Sequence, residues 1–464
     1  MGEGVRIMGE RPRLCQYRSV HVLLISTYDM GRQSFGLASP AAWLREAGID
    51  VSCADLSREP FPQDGVRTAS LVAFFLPMHT ATRLALPVID RVRRLNPRAK
   101  LAAYGLYAPL NAELLRQRGV DEIFDGEFEE DLVRAATDPR PRSDTPGHIA
   151  RLNFKTPVRD GLPALSRYAK LQVGAEHRVV GYTEASRGCK HRCRHCPIVP
   201  VYNGRFRIVS PDVVLADARA QVAAGAAHIT FGDPDFFNGI RHAREVVERF
   251  ARECPGVTYD VTIKVEHLLK HADALPLLRD TGCAFVTSAV EALEDRVLGY
   301  LEKGHTRADF ERAVELCAAA QLQMSPTFVA FTPWTTIPSY LDFLQTIDRL
   351  GLVDHVAPIQ LAIRLLVTDT SRLLELDDVR ALVAPFDPVS LTHPWAHEDP
   401  RVDALHDTVS RIVGVRMTAG RADVFARVWT AAHAHAGIEA PARREMPVLP
   451  ARATVPYLTE PWYC

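Results

Sequence analysis

The sequence has no hydrophobic run long enough to span a membrane. Its longest apolar run, LVAFFLPM at residues 71–78, is far shorter than the ~20 residues that a membrane helix needs. The first residues, MGEGVRIMGERPRLCQYRS, are basic but lack the apolar stretch of a secretory signal. We therefore expect a cytoplasmic protein with no membrane partner.

An excess of charge of either sign is also absent. The chain has 55 basic and 56 acidic residues, which gives a formal net charge of -1. Such a balance creates no overall attraction to nucleic acid, so we expect a small-molecule substrate and no nucleic-acid partner. The hydrophobic content of 47% and the charged content of 24% are typical of a globular protein. A length of 464 residues predicts two or three domains.

Cysteine is scarce and unevenly distributed. The chain has nine cysteines, and a reducing compartment argues against disulfides. Three of them lie in the segment SRGCKHRCRHCP, residues 186–197, as Cys189, Cys193 and Cys196 in the spacing C-x3-C-x2-C. In a reducing compartment, clustered cysteines typically bind metal or take part in chemistry.

Apolar segments alternate with helical patterns along most of the chain, which predicts an α/β fold. In residues 1–137 the alternation predicts a doubly wound, Rossmann-like parallel sheet with any ligand above the carboxyl ends of its strands. Residues 138–174 are predicted to be a linker. Residues 175–380 contain six strand candidates, the sixth being HVAPIQLAI at 355–363, and predict a partial (β/α)6 TIM-like barrel. Residues 381–464 are predicted to form a small helical cap and a tail.

The cysteine triple follows the first strand of the second series, so it is predicted to lie on a loop at the mouth of the barrel. Three kinds of site are compatible with it. A structural zinc site needs a fourth ligand, which His191 or His195 would supply. An electron-transfer cluster needs four thiolates, and no fourth cysteine is near in sequence. A cubane on three thiolates leaves one iron open to a cofactor.

The triple, the strand before it and the six-unit series resemble the radical S-adenosylmethionine (SAM) enzymes. The resemblance implies a [4Fe-4S] cluster on the three cysteines, with SAM on the open iron, where a fourth cysteine would block it. An electron from a flavodoxin- or ferredoxin-type donor would then break a carbon–sulfur bond of SAM. His191 and His195 are interpreted as loop residues. For the neighbouring cations Lys190, Arg192 and Arg194, a solvated loop, donor docking and substrate contact all stay open.

Segments at the strand ends of the predicted barrel also resemble that family. These segments are TFGDPDFFNG, TIKVEHL and SAVEALEDRVLGYLEKGHT. For the third, the resemblance implies that Glu291 begins a helix and that Lys303 and Gly304 close it. The resemblance implies SAM contacts for Gly232, Asp233, Asp235, Lys264, Glu266, Glu291 and Arg364. The residue types alone also allow a simple Gly-Asp turn at 232–233 and structural ion pairs for Lys264 and Arg364.

A doubly wound domain before such a barrel resembles the cobalamin-binding arrangement of many radical SAM enzymes. The segment YDMGRQSFGLASPAAWLREAGIDVSCADLS resembles the first βαβ unit of that domain. The motif Asp-x-His-x-x-Gly, whose histidine ligates cobalt, is absent, because Met30 and Gly31 follow Asp29. Some family members bind cobalamin without that histidine, so cobalamin is still a candidate cofactor. The alternative is a domain that keeps the fold without the ligand.

The chain ends in TEPWYC, with Cys464 last. With the whole chain, this ending resembles the CUAEP/CCAEP-tail radical SAM proteins, in which a cysteine precedes a selenocysteine or second cysteine. That resemblance implies a coding region that continues past Cys464. A more distant resemblance is to the radical SAM enzymes of arsinothricin biosynthesis, which transfer the 3-amino-3-carboxypropyl group of SAM to arsenic. An ordinary frayed terminus is the alternative.

Three functions follow from these patterns. The first is transfer of the aminocarboxypropyl group to a soft atom of a small molecule, with Cys464 as a catalytic residue. The second is cobalamin-dependent methylation. The third, from another class, is a non-catalytic zinc- or iron–sulfur-binding protein.

Overall fold

The first part of the fold is a parallel sheet with helices on both faces. A computed structural model describes residues 20–138, 151–174, 176–415, 420–443 and 457–458. The strands of the first sheet are β1 (His21–Ser26), β2 (Asp50–Asp55), β3 (Leu71–Phe75), β4 (Lys100–Tyr104) and β5 (Glu122–Phe124). Its helices are α1 (Phe35–Glu46), α2 (Gln63–Thr68), α3 (His79–Leu95), α4 (Tyr107–Leu110), α5 (Ala112–Gln117) and α6 (Glu129–Thr137).

The strand order of this sheet is β2-β1-β3-β4-β5, and all its pairs are parallel. Alternate residues of β1 enter two separate cores: Leu23 and Ile25 pack on one face, Val22 and Leu24 on the other. This explains the continuous apolar run, since a strand buried on both faces needs no polar alternation. The order reverses between β1 and β3, where sheets of this kind bind ligands beyond their carboxyl ends. The predicted doubly wound fold is confirmed.

The second sheet has seven strands and curls into a half barrel. Its strands are β6 (Lys170–Val173), β7 (Glu176–Thr183), β10 (His228–Phe231), β11 (Thr258–Thr262), β12 (Cys283–Glu291), β13 (Met324–Phe328) and β14 (Tyr457–Leu458), and a two-stranded ribbon adds β8 (Ser186–Gly188) and β9 (Phe206–Ile208). The order is β13-β12-β11-β10-β7-β6-β14. The strands β7 and β10 to β13 pair in parallel. In contrast, β6 pairs antiparallel with β7, and β14 pairs antiparallel with β6. Lys170–Val173, within the predicted linker, thus belong to the sheet.

Helices alternate with these strands and continue after them. They are α7 (Ile198–Tyr202), α8 (Pro211–Ala223), α9 (Ile240–Glu253), α10 (Val265–Lys270), α11 (Leu275–Asp280), α12 (Asp295–Tyr300), α13 (Arg307–Ala319), α14 (Ile337–Arg349), α15 (Asp377–Leu382), α16 (Pro400–Val415) and α17 (Arg421–His435). Short 3-10 helices cover Leu165–Arg167, Phe236–Gly239, Ala272–Ala274, Pro358–Leu361 and Arg372–Glu375. The helices α16 and α17 pack into the same core as the barrel strands. No helix in the described part of the chain is long and apolar enough to cross a membrane.

The partial barrel is confirmed, but its sixth predicted strand is wrong. Residues 355–363 contain a 3-10 helix at Pro358–Leu361, and only a single bridge joins Phe331 to Arg364. Pro358 lies at the start of that helix, where its missing N–H is tolerated, whereas a strand would lose a ladder bond there. The side chain of Gln360 instead accepts a hydrogen bond from the Phe328 backbone N–H at 2.8 Å.

A buried ion cluster joins the two sheets. Arg187 in β8 donates to Glu129 at 2.7 Å, to Glu127 at 3.1 Å and to Glu184 at 2.8 Å. The Arg187 side chain is 7% exposed, and those of Glu127 and Glu129 are 0% exposed. Burial raises the pKa of Glu127 to about 7, although Arg187 opposes this shift. One guanidinium therefore stabilises three carboxylates at the junction.

We predict that Arg187→Met strongly destabilises the fold, because it leaves the buried Glu127 and Glu129 and the half-buried Glu184 without their cation. Breaking a buried ion pair by removing one partner costs about 3–5 kcal/mol. The free energy of unfolding, from urea titration followed by circular dichroism, measures the loss. The control is Arg178→Ala, which removes the more exposed pair with Glu176 and should change the free energy by no more than about 0.5 kcal/mol. Equal effects of the two substitutions would contradict this role of Arg187.

Candidate active site

The three clustered cysteines lie on a loop at the carboxyl edge of the half barrel, between β8 and α7. Cys189 and Cys193 are buried and Cys196 is half-buried. The loop turns back on itself, since the Cys196 N–H donates to the Cys193 carbonyl at 3.1 Å. It begins at Gly188, whose φ of +75° favours glycine and where a Cβ would lie 2.4 Å from the Tyr202 ring. Close packing of α7 against β8 therefore requires glycine immediately before the first cysteine.

Two buried lysines provide positive charge beside these thiols. The Lys264 ammonium lies 3.8 Å from the Cys193 sulfur. Lys303 interacts electrostatically with the thiols of Cys193 and Cys196. Burial raises the pKa of Cys196 to about 12, and Lys303 acts in the opposite direction. Thiolates at this position thus depend on nearby cations, which the two lysines and a bound metal centre would provide.

Gly232 and Asp233 follow β10 and contact the segment that leads into the cysteine loop. The Asp233 carboxylate accepts from the Ala185 N–H at 2.9 Å and from the Ser186 hydroxyl at 2.5 Å. Burial raises the pKa of Asp233 to about 7. A Cβ on Gly232 would lie 1.9 Å from the Tyr182 hydroxyl oxygen, so only glycine leaves room for that ring. Both carboxylate oxygens of Asp233 are therefore engaged with the chain itself.

Asp235 faces two histidines. Its Oδ2 atom lies 2.7 Å from His267 Nδ1 and 3.4 Å from His191 Nε2, and its side chain is 0% exposed. These histidines lower the pKa of Asp235 to about 2, against the effect of burial. The other nitrogen of His191 lies 3.5 Å from Glu266, which is also 3.7 Å from the Lys264 ammonium. Asp235, Lys264 and Glu266 are thus brought together with the cysteine loop.

Glu291 joins Asp233, Asp235 and Glu266 as a carboxylate at this edge. It is the last residue of β12, and the helix that follows begins at Asp295 rather than at Glu291. Its φ of +72° is left-handed. The Glu291 carboxylate lies 3.2 Å from His195 Nε2 and 3.3 Å from the Lys303 ammonium. Lys303 and His195 lower the pKa of Glu291 to about 2, although burial acts in the opposite direction. Glu291 therefore anchors the cysteine loop through His195 and orients Lys303.

Arg364 lies outside this group of residues. Its guanidinium donates to Asp403 of α16 at 2.7 Å and to the Trp395 carbonyl at 2.8 Å, and it stacks over the Trp395 ring at 3.6 Å. Arg364 therefore makes a structural ion pair, which is the alternative that the residue types alone allow. Cys464, the predicted catalytic residue of the tail, lies outside the described residues.

The basic residues of the loop differ from one another. Arg194 pairs with Glu302 at 2.6 Å and with Glu375 at 3.3 Å. Lys190 and Arg192 are exposed. Arg194 is thus structural, whereas Lys190 and Arg192 are available to a negatively charged partner.

Sequence reasoning missed the histidines of this site. The sequence predicts that His191 and His195 are simple loop residues, yet each faces a carboxylate, and no motif indicates His267. The sequence did contain an indication, since two histidines alternate with the cysteines in CKHRCRHC. Their partners, however, are separated from them by 44 and 96 residues, and only the folded barrel brings them into contact.

Residues 183–335 match the sequence model of the radical SAM superfamily. The chain thus contains a radical SAM domain. It is 28% identical over 166 residues to the ribosomal protein uS12 methylthiotransferase RimO of Desulfosudis oleivorans, an alignment that covers 31% of this chain and 35% of that protein. The chain therefore spans about a third of the length of this curated relative.

Two solved structures share most of this fold. The cobalamin-dependent SAM radical enzyme OxsB with aqua-cobalamin superposes with a TM-score of 0.69 at 14% identity, over 86% of this chain and 67% of that one. The radical SAM methyltransferase TsrM from Kitasatospora setae, with cobalamin and a [4Fe-4S] cluster, superposes with a TM-score of 0.62 at 16% identity, over 92% of each chain. The fold is thus that of cobalamin-dependent radical SAM enzymes. The resemblance to the CUAEP/CCAEP-tail and arsinothricin proteins stays a prediction.

A radical SAM domain implies a [4Fe-4S] cluster and SAM, and the cysteine loop fits such a cluster. It offers three thiols at the barrel mouth with two buried cations beside them. The other described cysteines are Cys53, Cys254, Cys283 and Cys317. They lie in β2, after α9, at the start of β12 and in α13, away from this loop. Three protein ligands would leave one iron of such a cluster open for SAM.

We predict that Lys264→Met lowers the reduction potential of the cluster by about 60 mV, because the ammonium beside Cys193 stabilises the added electron. For a one-electron couple this shift corresponds to a factor of about ten in the equilibrium constant. Potentiometric titration followed by electron paramagnetic resonance gives the value. The control is Lys270→Met, which removes an exposed lysine from α10 and should leave the potential unchanged. A potential that responds equally to both substitutions would argue against a specific effect of Lys264.

Proposed function

We propose that this enzyme uses SAM at a cluster held by Cys189, Cys193 and Cys196 to methylate a small molecule, with cobalamin in its N-terminal domain. The observation that carries this proposal is that the carboxyl edge of the first sheet faces the carboxyl edge of the half barrel. Glu127, just after β5, contacts Arg187 and Tyr202 beside the cysteine loop. Arg32, after β1, stacks over Tyr182 at the end of β7 at 4.7 Å. Ligands of both sheets would therefore meet in one space.

The end of β1 contains groups suited to hold cobalamin. The Ser26 hydroxyl is buried at 0% exposure and has no hydrogen-bond partner. It lies at the point where the strand order reverses, which is where such sheets bind ligands. Burial raises the pKa of the nearby Asp29 to about 7, and Ser34 is among its neighbours. Ser26 and the segment Asp29–Gly31 would hold the cofactor without an imidazole ligand to cobalt. Cobalamin, when bound, supplies a carrier for a methyl group.

The substrate would bind between the two edges. Asp29, Arg32, Tyr182 and Glu184 are all half-buried there. Their mixed charges suit a small polar molecule that carries both donors and acceptors. The exposed cations Lys190 and Arg192, on the outer side of the cysteine loop, suit an acidic flavodoxin- or ferredoxin-type electron donor.

Analysis of the products of SAM tests the reaction. The anaerobically reconstituted enzyme, supplied with cobalamin, SAM and a strong reductant, should form S-adenosylhomocysteine if the methyl group is transferred. Methylthioadenosine would instead indicate transfer of the aminocarboxypropyl group, the reaction first expected from the sequence. Mass spectrometry distinguishes these products from 5′-deoxyadenosine, which marks formation of the adenosyl radical.

We predict that Cys193→Ala abolishes cluster binding and all three products, because it removes one of three iron ligands. Iron content should fall from about four per chain in the reconstituted enzyme, the number of a [4Fe-4S] cluster, to a small fraction of that. Cys283→Ala is the matched control, since Cys283 is also buried but lies at the opposite end of a barrel strand. If Cys193→Ala retained cluster and products, the cysteine triple would have another function.

We predict that Ser26→Ala raises the stability of the cofactor-free protein by about 1 kcal/mol, because an unsatisfied buried hydroxyl costs about 1–3 kcal/mol. The same substitution should weaken cobalamin binding several-fold if that hydroxyl bonds the cofactor. Thermal unfolding gives the first quantity, and an absorbance titration with hydroxocobalamin gives the second. The control for binding is Ser52→Ala, in β2, whose hydroxyl already pairs with His21. Unchanged cobalamin affinity in Ser26→Ala would remove Ser26 from the proposed site.

A further inference from the structure

Three buried ligand atoms converge next to the cysteine loop. These atoms are His191 Nε2, Asp235 Oδ2 and His267 Nδ1, and all lie within 4.8 Å of one another. Each atom is buried and makes no well-aligned hydrogen bond, although the Asp235 oxygen is only 2.7 Å from His267 and 3.4 Å from His191. The side chains of Asp235 and His267 are 0% and 6% exposed. Native proteins rarely leave buried polar atoms unsatisfied, so this convergence needs an explanation.

A single cation would satisfy all three atoms. Two imidazole nitrogens and one carboxylate oxygen are a common ligand set for divalent first-row metals such as Zn²⁺ and Fe²⁺. Bond lengths of about 2.0–2.2 Å to nitrogen and oxygen place neighbouring ligand atoms roughly 3 Å apart. The observed separations of 2.7 and 3.4 Å from Asp235 to the two histidines bracket that value. Small side-chain rotations would therefore complete the geometry.

The surroundings also orient the ligands toward a common point. The second nitrogen of His191 lies 3.5 Å from Glu266, an arrangement that directs Nε2 inward. Carboxylates behind a ligating histidine are usual at metal sites. The other oxygen of Asp235 lies 3.4 Å from the Lys264 backbone N–H, which leaves Oδ2 for the metal. The three ligands come from the cysteine loop, the turn after β10 and α10, so the fold of the barrel holds them in place.

We propose that His191, Asp235 and His267 bind one divalent first-row transition-metal ion, distinct from the iron of the cysteine cluster. Three protein ligands leave at least one coordination position open, as in sites where the metal binds water or another ligand. This assignment gives Asp235 a metal in place of the amino group of SAM. It does not depend on the proposed methyl transfer.

Zinc binding to the reconstituted enzyme tests the proposal. After cluster assembly and removal of loose metal by a chelator, the protein is incubated with Zn²⁺ and desalted. Mass spectrometry then measures iron and zinc in the same sample. We expect one zinc per chain without loss of iron. X-ray absorption at the zinc edge should show only nitrogen and oxygen at about 2.0–2.1 Å, whereas zinc on cysteine would show sulfur at about 2.3 Å.

Two substitutions and one control locate the zinc. His267→Ala removes a ligand, and Asp235→Asn keeps the shape of the side chain but removes its charge; each should weaken zinc binding at least about tenfold. His271→Ala is the control, because its ring lies 5.8 Å from that of His267 but outside the convergent group. Sulfur around the zinc, no zinc in the unaltered enzyme, or equal zinc in all variants would overturn the proposal. Iron content and SAM products report separately on the cluster, so failure of one site is distinguishable from failure of the other.

Discussion

The buried contact of Arg187 with three glutamates is the constraint on which the rest of the site depends. Two of the glutamates, Glu127 and Glu129, belong to the first domain, whereas Arg187 and Glu184 follow the first parallel strand of the barrel. The contact therefore fixes the carboxyl edge of one sheet against the carboxyl edge of the other. Because Arg187 is only two residues before Cys189, the same contact also sets where the cysteine loop begins. The same ion cluster therefore contributes both to the pairing of the edges and to the position of the thiols.

A second constraint is the balance of charge around the thiols. A cluster on three thiolates adds negative charge in a place where burial already opposes ionisation of Cys196. Lys264 and Lys303 offset that charge, and each is in turn paired with a carboxylate, Glu266 or Glu291. Buried cations without such partners would lose their charge, since burial disfavours the charged form. Glu291 raises the pKa of Lys303 against the effect of burial and thus keeps this lysine charged.

The sequence predicted those parts of the molecule that depend on local pattern. The apolar runs of the first sheet, the half barrel and the three cysteines all follow from spacing or short-range periodicity. The sixth strand was wrong because HVAPIQLAI is apolar enough for a strand, while Pro358 favours a 3-10 helix. The contacts of Arg364 with Asp403 and of His191 with Asp235 span 39 and 44 residues. No local pattern contains such pairs, so the roles of these residues required the folded structure.

The histidine pair also changes how the cysteine loop is understood. His191 lies between Cys189 and Cys193, so any ligand that orients its ring also constrains the backbone that carries both thiols. His195 has the same relation to Cys193 and Cys196 through its contact with Glu291. The loop is therefore held from two sides, by Asp235 after β10 and by Glu291 at the end of β12. A loop with only its cysteines fixed would have to order itself when the cluster assembles, at an entropic cost of about 1–2 kcal/mol for each backbone residue. The two histidine–carboxylate contacts remove part of that cost before the iron arrives.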